Sequence, residues 1–141
     1  MIAPVELSQA YRLLNHGPTV LVSAAHGGRR NVMAAAWSMP LDFAPPKVTV
    51  VLDKSTFTRG LVEASGAFAL NLPCRAIADA TLAVGNVSAK DPEHADKFSE
   101  FGLGAFAGSA LDLPLVEGCV GWLECRLVPE PHNQQAYDLF I

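Results

Sequence analysis

Residues 31–40 read NVMAAAWSMP, and this stretch decides which fold and which kind of site the sequence supports. It is apolar enough for a core, but a plain buried strand favours Val and Ile over consecutive alanines. Ala34, Ala35 and Ala36 remove side-chain bulk from both faces of a strand, so a flat ligand could reach the backbone N–H and C=O groups. The structural alternative is a tight barrel corner at which small residues relieve crowding.

Polar and aromatic side chains flank these alanines. Asn31 offers an amide that both donates and accepts hydrogen bonds, and Ser38 offers a hydroxyl. Trp37 offers a flat surface on which a ring can stack. The stretch therefore has the groups that a planar heterocycle needs.

A second stretch, LDKSTFTRG at residues 52–60, places a cation and hydroxyls at the predicted start of a helix. Helix N-termini bind phosphate through their free N–H groups and the helix dipole. Lys54 adds positive charge, and Ser55, Thr56 and Thr58 add hydroxyl donors. The alternative is an ordinary helix cap. Together, the two stretches meet the requirement of a mononucleotide such as FMN, a planar ring beside a phosphate.

The rest of the chain predicts short strands and helices in hairpin or meander order. Helices are expected over 6–14, 58–64 and 75–86, with a short one starting near Pro92. Strands are expected over 19–25, 31–37, 47–53, 67–73 and 119–130, and from 135 to the end. The glycines within residues 26–30 predict a hairpin tip, and two consecutive prolines make 39–46 a predicted loop. Residues 103–118 are expected to form an irregular connection.

This pattern predicts a mainly β, α+β domain over residues 1–141, a closed or partly closed antiparallel β-barrel with short helices attached. Half of the residues are hydrophobic and 17% are charged, so the chain can build a core and is not disordered.

Composition also excludes several classes of function. The net charge is −4 and no basic cluster exceeds the pair Arg29-Arg30, which argues against a nucleic-acid surface. No apolar run reaches the roughly 18 residues of a membrane span, and no signal peptide is visible. Three cysteines without a CxxC motif predict reduced thiols in a cytoplasmic protein.

Three other motifs carry little weight. GLGAFAG at residues 102–108 resembles a dinucleotide loop but does not follow a predicted strand. The four histidines are scattered, so no metal site is expected. No catalytic triad is visible, and we expect no catalytic side chain of that kind.

Residues 31–73 closely resemble the flavin reductase-like family, the FMN-binding split barrels. An Ala-rich second strand, PP before the third strand, a charged Ser/Thr turn and the pattern SGxFxLNxP follow in order. SAKDPEHADKF, LPLVEGCVGWLECRLV and YDLFI resemble later segments of the family. The resemblance covers residues 18–141 and implies a split β-barrel.

The resemblance also implies a homodimer with FMN near the subunit interface. It puts the phosphate on Lys54, Ser55, Thr56 and Thr58, and it puts the ring and ribityl chain along Asn31, Met33, Ala35, Trp37, Ser38 and Met39. Lys90 matches a basic position that approaches the flavin in relatives. Members usually continue for several more strands, so part of the barrel or dimer contact is expected to lie outside residues 1–141.

The leading functional hypothesis is an FMN reductase that takes hydride from NAD(P)H and supplies reduced flavin to a partner monooxygenase. The runner-up is a non-enzymatic electron carrier of the flavoredoxin type. A third hypothesis is a bare interaction module that has lost flavin, against which the intact DKSTFT stretch argues. Ala35→Leu is expected to block flavin binding.

Overall fold

The computed structural model describes residues 2–141, and its first organising unit is a tight β-hairpin. Strand β1 (Val20–His26) pairs with β2 (Arg29–Ala35) in antiparallel register, His26 opposite Arg29. The turn between them needs two left-handed residues, and Gly27 and Gly28 supply them with φ of 58° and 76°. The predicted hairpin tip is confirmed, although it is only these two glycines long.

The hairpin belongs to a four-stranded sheet of order β2-β1-β5-β8, in which β5 is Ala67–Pro73 and β8 is Cys119–Arg126. Side chains alternate between the two faces of this sheet. One face carries the main core, to which β1 contributes Val20 and Val22, and the other carries a second cluster around Leu21 and Val32. Strand β2 is an edge strand and pairs with β1 alone.

A second sheet has the order β3-β4-β9, with β3 at Ser38–Phe43, β4 at Pro46–Val51 and β9 at Leu139–Phe140. The predicted loop at 39–46 is therefore wrong for most of its length. Pro40 is tolerated because β3 is an edge strand and Pro40 lies opposite Val48, where its missing N–H faces away from β4. The two consecutive prolines fall at the turn and at the first residue of β4.

The remaining elements of residues 2–141 include four α-helices and a small hairpin. The helices are α1 (Phe57–Ser65), α2 (Ala78–Asn86), α3 (Lys97–Glu100) and α4 (Pro131–Tyr137), and 3₁₀ turns cover Leu7–Leu13, Arg75–Ile77 and Pro92–His94. Gly66 ends α1 in the left-handed conformation, as its position predicts. Strands β6 (Ala105–Ala107) and β7 (Pro114–Val116) pair with each other.

Three predicted elements need correction. The expected helix at 6–14 is a 3₁₀ turn, stabilised by bonds such as Leu14 N–H to Tyr11 C=O. Residues 103–118 hold the β6–β7 hairpin rather than an irregular connection. The final segment is mainly helical because Pro131 starts α4 and Asp138, at φ 56°, ends it, which leaves two residues for β9.

The architecture is mainly β with several short helices, as predicted, but the sheets do not close into a full barrel. Helix α1 packs on the main-core face of the first sheet, and α2 packs on the opposite face. Asn31, in the first half of β2, bonds to Thr58 in the first turn of α1, and the end of β2 leads through two residues into β3.

All three cysteines are free thiols. Burial raises the pKa of Cys119 to about 12, with a smaller contribution from Cys74, and burial with nearby Glu124 raises the pKa of Cys125 to about 12. A thiol is nucleophilic only as the thiolate, so the raised pKa makes both thiols poor nucleophiles at pH 8.

We expect iodoacetamide at pH 8 to alkylate Cys119 and Cys125 about a thousandfold more slowly in the native protein than in urea. Peptide mass spectrometry over a time course measures both rates, and the unfolded chain is the internal control. Equal rates in the two states would contradict the buried placement of these thiols.

Candidate functional site

The candidate site is the β2–β3 corner, which we define as residues 31–39 together with the first turn of α1. Strand β2 leaves the first sheet at Ala35 and β3 begins at Ser38, so two intervening residues turn the chain from one sheet to the other. Helix α1 packs against β1 and β2, which brings its first turn to this corner.

Asn31 joins β2 to α1 and has one free hydrogen-bonding atom. Its side chain is 1% exposed, and its Nδ2 donates to Thr58 Oγ1 at 2.9 Å. Its Oδ1 is buried without a partner. The hydroxyl of Thr58 can both donate and accept, so either orientation of the amide leaves one amide atom unsatisfied. A buried polar atom without a partner costs about 1–3 kcal/mol, which a ligand at this corner would recover.

Ser38 presents a second unsatisfied group. Its Oγ is buried without a partner. The N–H of Val51 donates to the carbonyl of Trp37 at 3.0 Å, so these two residues form a hydrogen-bonded pair. Because bonding alternates along an antiparallel ladder, the N–H and C=O of Ser38 point away from β4 toward the free edge. Ser38 thus offers a hydroxyl and a backbone edge at one point.

Buried side-chain atoms without a partner are concentrated at this corner. The described part of the chain has three of them, of which Asn31 Oδ1 and Ser38 Oγ lie in the corner and Gln134 Nε2 lies in α4. Such atoms are rare in folded proteins and call for an explanation such as a missing ligand.

The alanines have two different roles. Ala35 and Met33 face the main core, whereas Ala34 faces α2, where a Cβ built on Gly85 would lie 3.1 Å from the Cβ of Ala34. Close packing against α2 therefore accounts for the small side chain of Ala34, a structural role other than the barrel corner considered from the sequence, while Ala36 is exposed. Ala35→Leu would disturb the core whether or not a flavin binds, so it is a poor test of the site.

Large apolar side chains are exposed along the corner and β3. Trp37 is 75% exposed, Met39 55% and Phe43 64%, and Leu41 lies between the last two. We call these four residues the β3 strip. The register shift between Pro40 and Asp42 puts Met39 and Phe43 on opposite faces of β3, and the ring of Phe43 lies 4.9 Å from that of Tyr11. Exposed apolar side chains of this size, such as Trp37 and Met39, mark a ligand or protein contact.

The N-terminus of α1 has no side-chain cap. The hydroxyl of Ser55 donates to Asp53 Oδ1, and Thr56 Oγ1 donates to the carbonyl of Asp53 at 2.8 Å. The hydrogen bond from Ser55 is the main cause that lowers the pKa of Asp53. Since these two hydroxyls are engaged within their own turn, the donors that remain at this end are chiefly the backbone N–H groups of the first turn.

Lys54 is tied to α4. Its Nζ donates to the carbonyl of Gln135 at 2.7 Å and lies 3.7 Å from Asp138 Oδ1. Buried Arg59 also pairs with Asp138 and donates to the carbonyl of Gln134. The two cations hold α4 beside α1, and Lys54 is the more exposed of the two.

Two basic residues, Arg29 and Lys90, lie elsewhere than the sequence analysis expects. Arg29, which the sequence analysis passed over, stacks on Phe57 at the start of α1, with its Cζ 4.3 Å from the ring centroid. Its signal in the sequence is the two-residue spacing from Asn31, which places both on one face of β2. Lys90 is exposed beyond α2, which packs on the other face of β2, and its backbone N–H donates to Ser88 Oγ. The structure does not bring Lys90 to the first turn of α1.

The two clefts described in the structure lie away from the candidate site. One lies between the β1–β2 turn and the β6–β7 hairpin and the other between the N-terminal segment and β8. Neither is lined by Asn31, Ser38 or Thr58. Among residues 2–141, no cluster of three or more His, Cys, Asp or Glu side chains is arranged to hold a metal ion. No helix in this range has both the length and the apolar character needed to cross a membrane.

Comparison with known proteins identifies the fold. Residues 12–141 match the family described as "Flavin reductase like domain". A crystal structure of an FMN-binding domain of a flavin reductases-like enzyme from Shewanella baltica superposes with a TM-score of 0.93 at 55% identity, over 98% of this chain and 71% of that chain. An uncharacterised Escherichia coli protein, YddH, is 50% identical over 138 residues, which is 96% of this chain and 71% of that protein.

A more distant structural relative is a flavoredoxin. Flavoredoxin of Desulfovibrio vulgaris superposes with a TM-score of 0.73 at 31% identity, over 81% of this chain and 61% of that chain. These matches confirm the split-barrel prediction and the resemblance on which it rested.

Proposed function

The chain belongs to the flavin reductase-like domain family, and from this premise we propose that it binds FMN at the β2–β3 corner and reduces it with NAD(P)H. The observation that carries the proposal is the buried, unpartnered Oδ1 of Asn31, whose Nδ2 bonds to Thr58 in the uncapped first turn of α1. A second buried, unpartnered atom, Ser38 Oγ, lies at the start of β3. FMN has a hydroxylated ribityl chain, a polar ring edge and a phosphate, and these match the three features.

The donors and acceptors of the corner suggest how each residue would hold FMN. The free N–H groups of α1 would bind the phosphate, with Lys54 contributing charge from one side. Asn31 Oδ1 would accept from a ribityl hydroxyl, and Ser38 would meet the polar edge of the ring. Trp37 and Met39 would cover its apolar surface. Ser55 and Thr56 would contribute only after rearranging, since both donate to Asp53. Lys90 follows α2, which packs on the other face of β2, and it too would have to move.

Bound FMN would accept the hydride, and the protein would orient the flavin ring and set the polarity around it. In this proposal the side chains perform no proton transfer. They position the polar edge of the flavin ring against Ser38 and leave one face of the ring accessible to nicotinamide. The β3 strip supports a homodimer in which a second copy packs on its exposed apolar side chains, beside the flavin site. A flavin that leaves after reduction would supply a partner monooxygenase, whereas one that stays would make the protein a carrier.

We expect the protein to oxidise NADH or NADPH in the presence of FMN, at a rate proportional to protein concentration. Loss of absorbance by the reduced nicotinamide is the measurement, and free FMN without protein is the control. Turnover supports the reductase. Bound FMN that neither nicotinamide reduces would contradict it and favour the flavoredoxin-like carrier, which the flavoredoxin relative supports.

A further inference from the structure

We propose that Arg29 is a further phosphate-binding residue of this site and makes the site select FMN over flavins that lack the 5′-phosphate. The inference rests on the proposed function, because it takes the flavin to lie at the β2–β3 corner. Arg29 lies outside the DKSTFT stretch, so neither that stretch nor the helix dipole assigns it a role in phosphate binding.

The position of Arg29 carries the first part of the argument. Arg29 begins β2, and side chains two residues apart on a strand share a face, so Arg29 and Asn31 project to the same side. Both reach the first turn of α1. The guanidinium of Arg29 lies 4.3 Å from the ring centroid of Phe57, and Asn31 Nδ2 lies 2.9 Å from Thr58 Oγ1. The guanidinium is therefore held at the end of α1 that has free N–H groups.

The N-terminus of α1 and Arg29 together form a positively charged site. A helix N-terminus has a partial positive charge of roughly half a unit, and the guanidinium adds a full one beside it. The ion pairs among the described residues involve other cations, and none includes Arg29. Asp53, the acidic residue of the preceding turn, accepts hydrogen bonds from Ser55 instead. Two positive groups without a neutralising carboxylate are suited to a phosphate dianion.

The buried amide of Asn31 is an independent sign that a ligand belongs here. Its Oδ1 is unpartnered at 1% exposure, and the same side chain contacts the first turn of α1. A ligand that reaches both Asn31 and the helix N-terminus passes beside Arg29, because all three lie along one face of β2.

Arg30 is a matched control within the same strand. It projects to the other face, where its Cζ lies 4.5 Å from the ring centroid of Phe98 and its Nη2 lies 3.5 Å from Asp96 Oδ2. Both arginines stack on a phenylalanine, but Arg30 already has a carboxylate partner. Arg29 has no such partner among the described residues, so its charge is available to a ligand.

The test compares the affinities of the wild type, Arg29→Gln, Arg29→Lys and Arg30→Gln for FMN and for riboflavin, by quenching of flavin fluorescence. Arg29→Gln is expected to weaken FMN binding about tenfold and to leave riboflavin binding within about twofold. Arg29→Lys should lie between, since it keeps the charge but loses the planar fork. Arg30→Gln should leave both affinities within about twofold.

Two results would overturn the inference alone. One is a loss that is equal for FMN and riboflavin, which would mean that Arg29 only shapes the site. The other is an Arg29→Gln variant that binds FMN as tightly as the wild type. A wild type that binds neither flavin would overturn the proposed function and this inference together, so the two failures are distinguishable.

Discussion

The double variant Asn31→Leu/Thr58→Val is expected to fold as stably as the wild type and to lose FMN affinity by about a hundredfold. The wild-type protein buries an amide atom without a partner, and the substitutions remove that atom together with the hydroxyl to which the amide bonds. Removing both partners of a buried hydrogen bond is nearly neutral for stability. The flavin would lose the acceptor of Asn31 and the Thr58 hydroxyl.

Thermal unfolding without ligand and fluorescence titration with FMN measure the two effects separately. Thr81→Val is a matched control, because Thr81 is also a buried helical threonine but bonds to the carbonyl of Ile77 within α2, away from the corner. A double variant that binds FMN like the wild type would exclude Asn31 and Thr58 from the site. One that fails to fold would show that this pair has a structural role instead.

Asn71→Leu is expected to lower the free energy of unfolding by about 3 kcal/mol. Asn71 is fully buried in β5, and its Nδ2 donates to the carbonyl of Leu21 at 2.8 Å and to Ser23 Oγ at 3.0 Å. Its Oδ1 accepts from the N–H of Val116 at 2.9 Å. One amide therefore joins β1, β5 and β7, and leucine would leave the buried groups it contacts without partners.

Urea unfolding monitored by tryptophan fluorescence measures this loss. Asn15→Leu is the control, since Asn15 is exposed in a turn and its replacement should change the free energy of unfolding by less than about 0.5 kcal/mol. A similarly small change for Asn71→Leu would show that the β6–β7 hairpin is held by apolar packing alone. The asparagine in SGxFxLNxP is on this account a structural residue and not a flavin ligand.

The elements that the sequence predicts well are those in which local chemistry and tertiary packing agree. The two glycines at 27–28 require a tight hairpin, and Gly66 ends α1 as its position indicates. The site residues themselves stay a prediction. Asn31 and Ser38, chosen for their side-chain chemistry, hold two of the three buried unpartnered atoms among the described residues.

The elements that the sequence missed depend on contacts distant along the chain. Pro40 argues against a strand unless the strand is known to lie at an edge, and that is a property of the assembled sheet. The sequence predicts that Lys54 binds a phosphate. In the structure its Nζ donates to the carbonyl of Gln135 in α4, more than 75 residues later in the chain. The sequence does not single out Arg29, because its position at the N-terminus of α1 depends on its stacking against Phe57.

The central claim is that this chain binds FMN at the β2–β3 corner, and the most direct test is the visible spectrum after addition of FMN and desalting. The wild type and Asn31→Leu/Thr58→Val are measured side by side, each shown to be folded by circular dichroism. The account predicts that the wild type retains about one FMN per chain and that the variant emerges colourless. A colourless wild type, or a variant that retains as much flavin as the wild type, would contradict it.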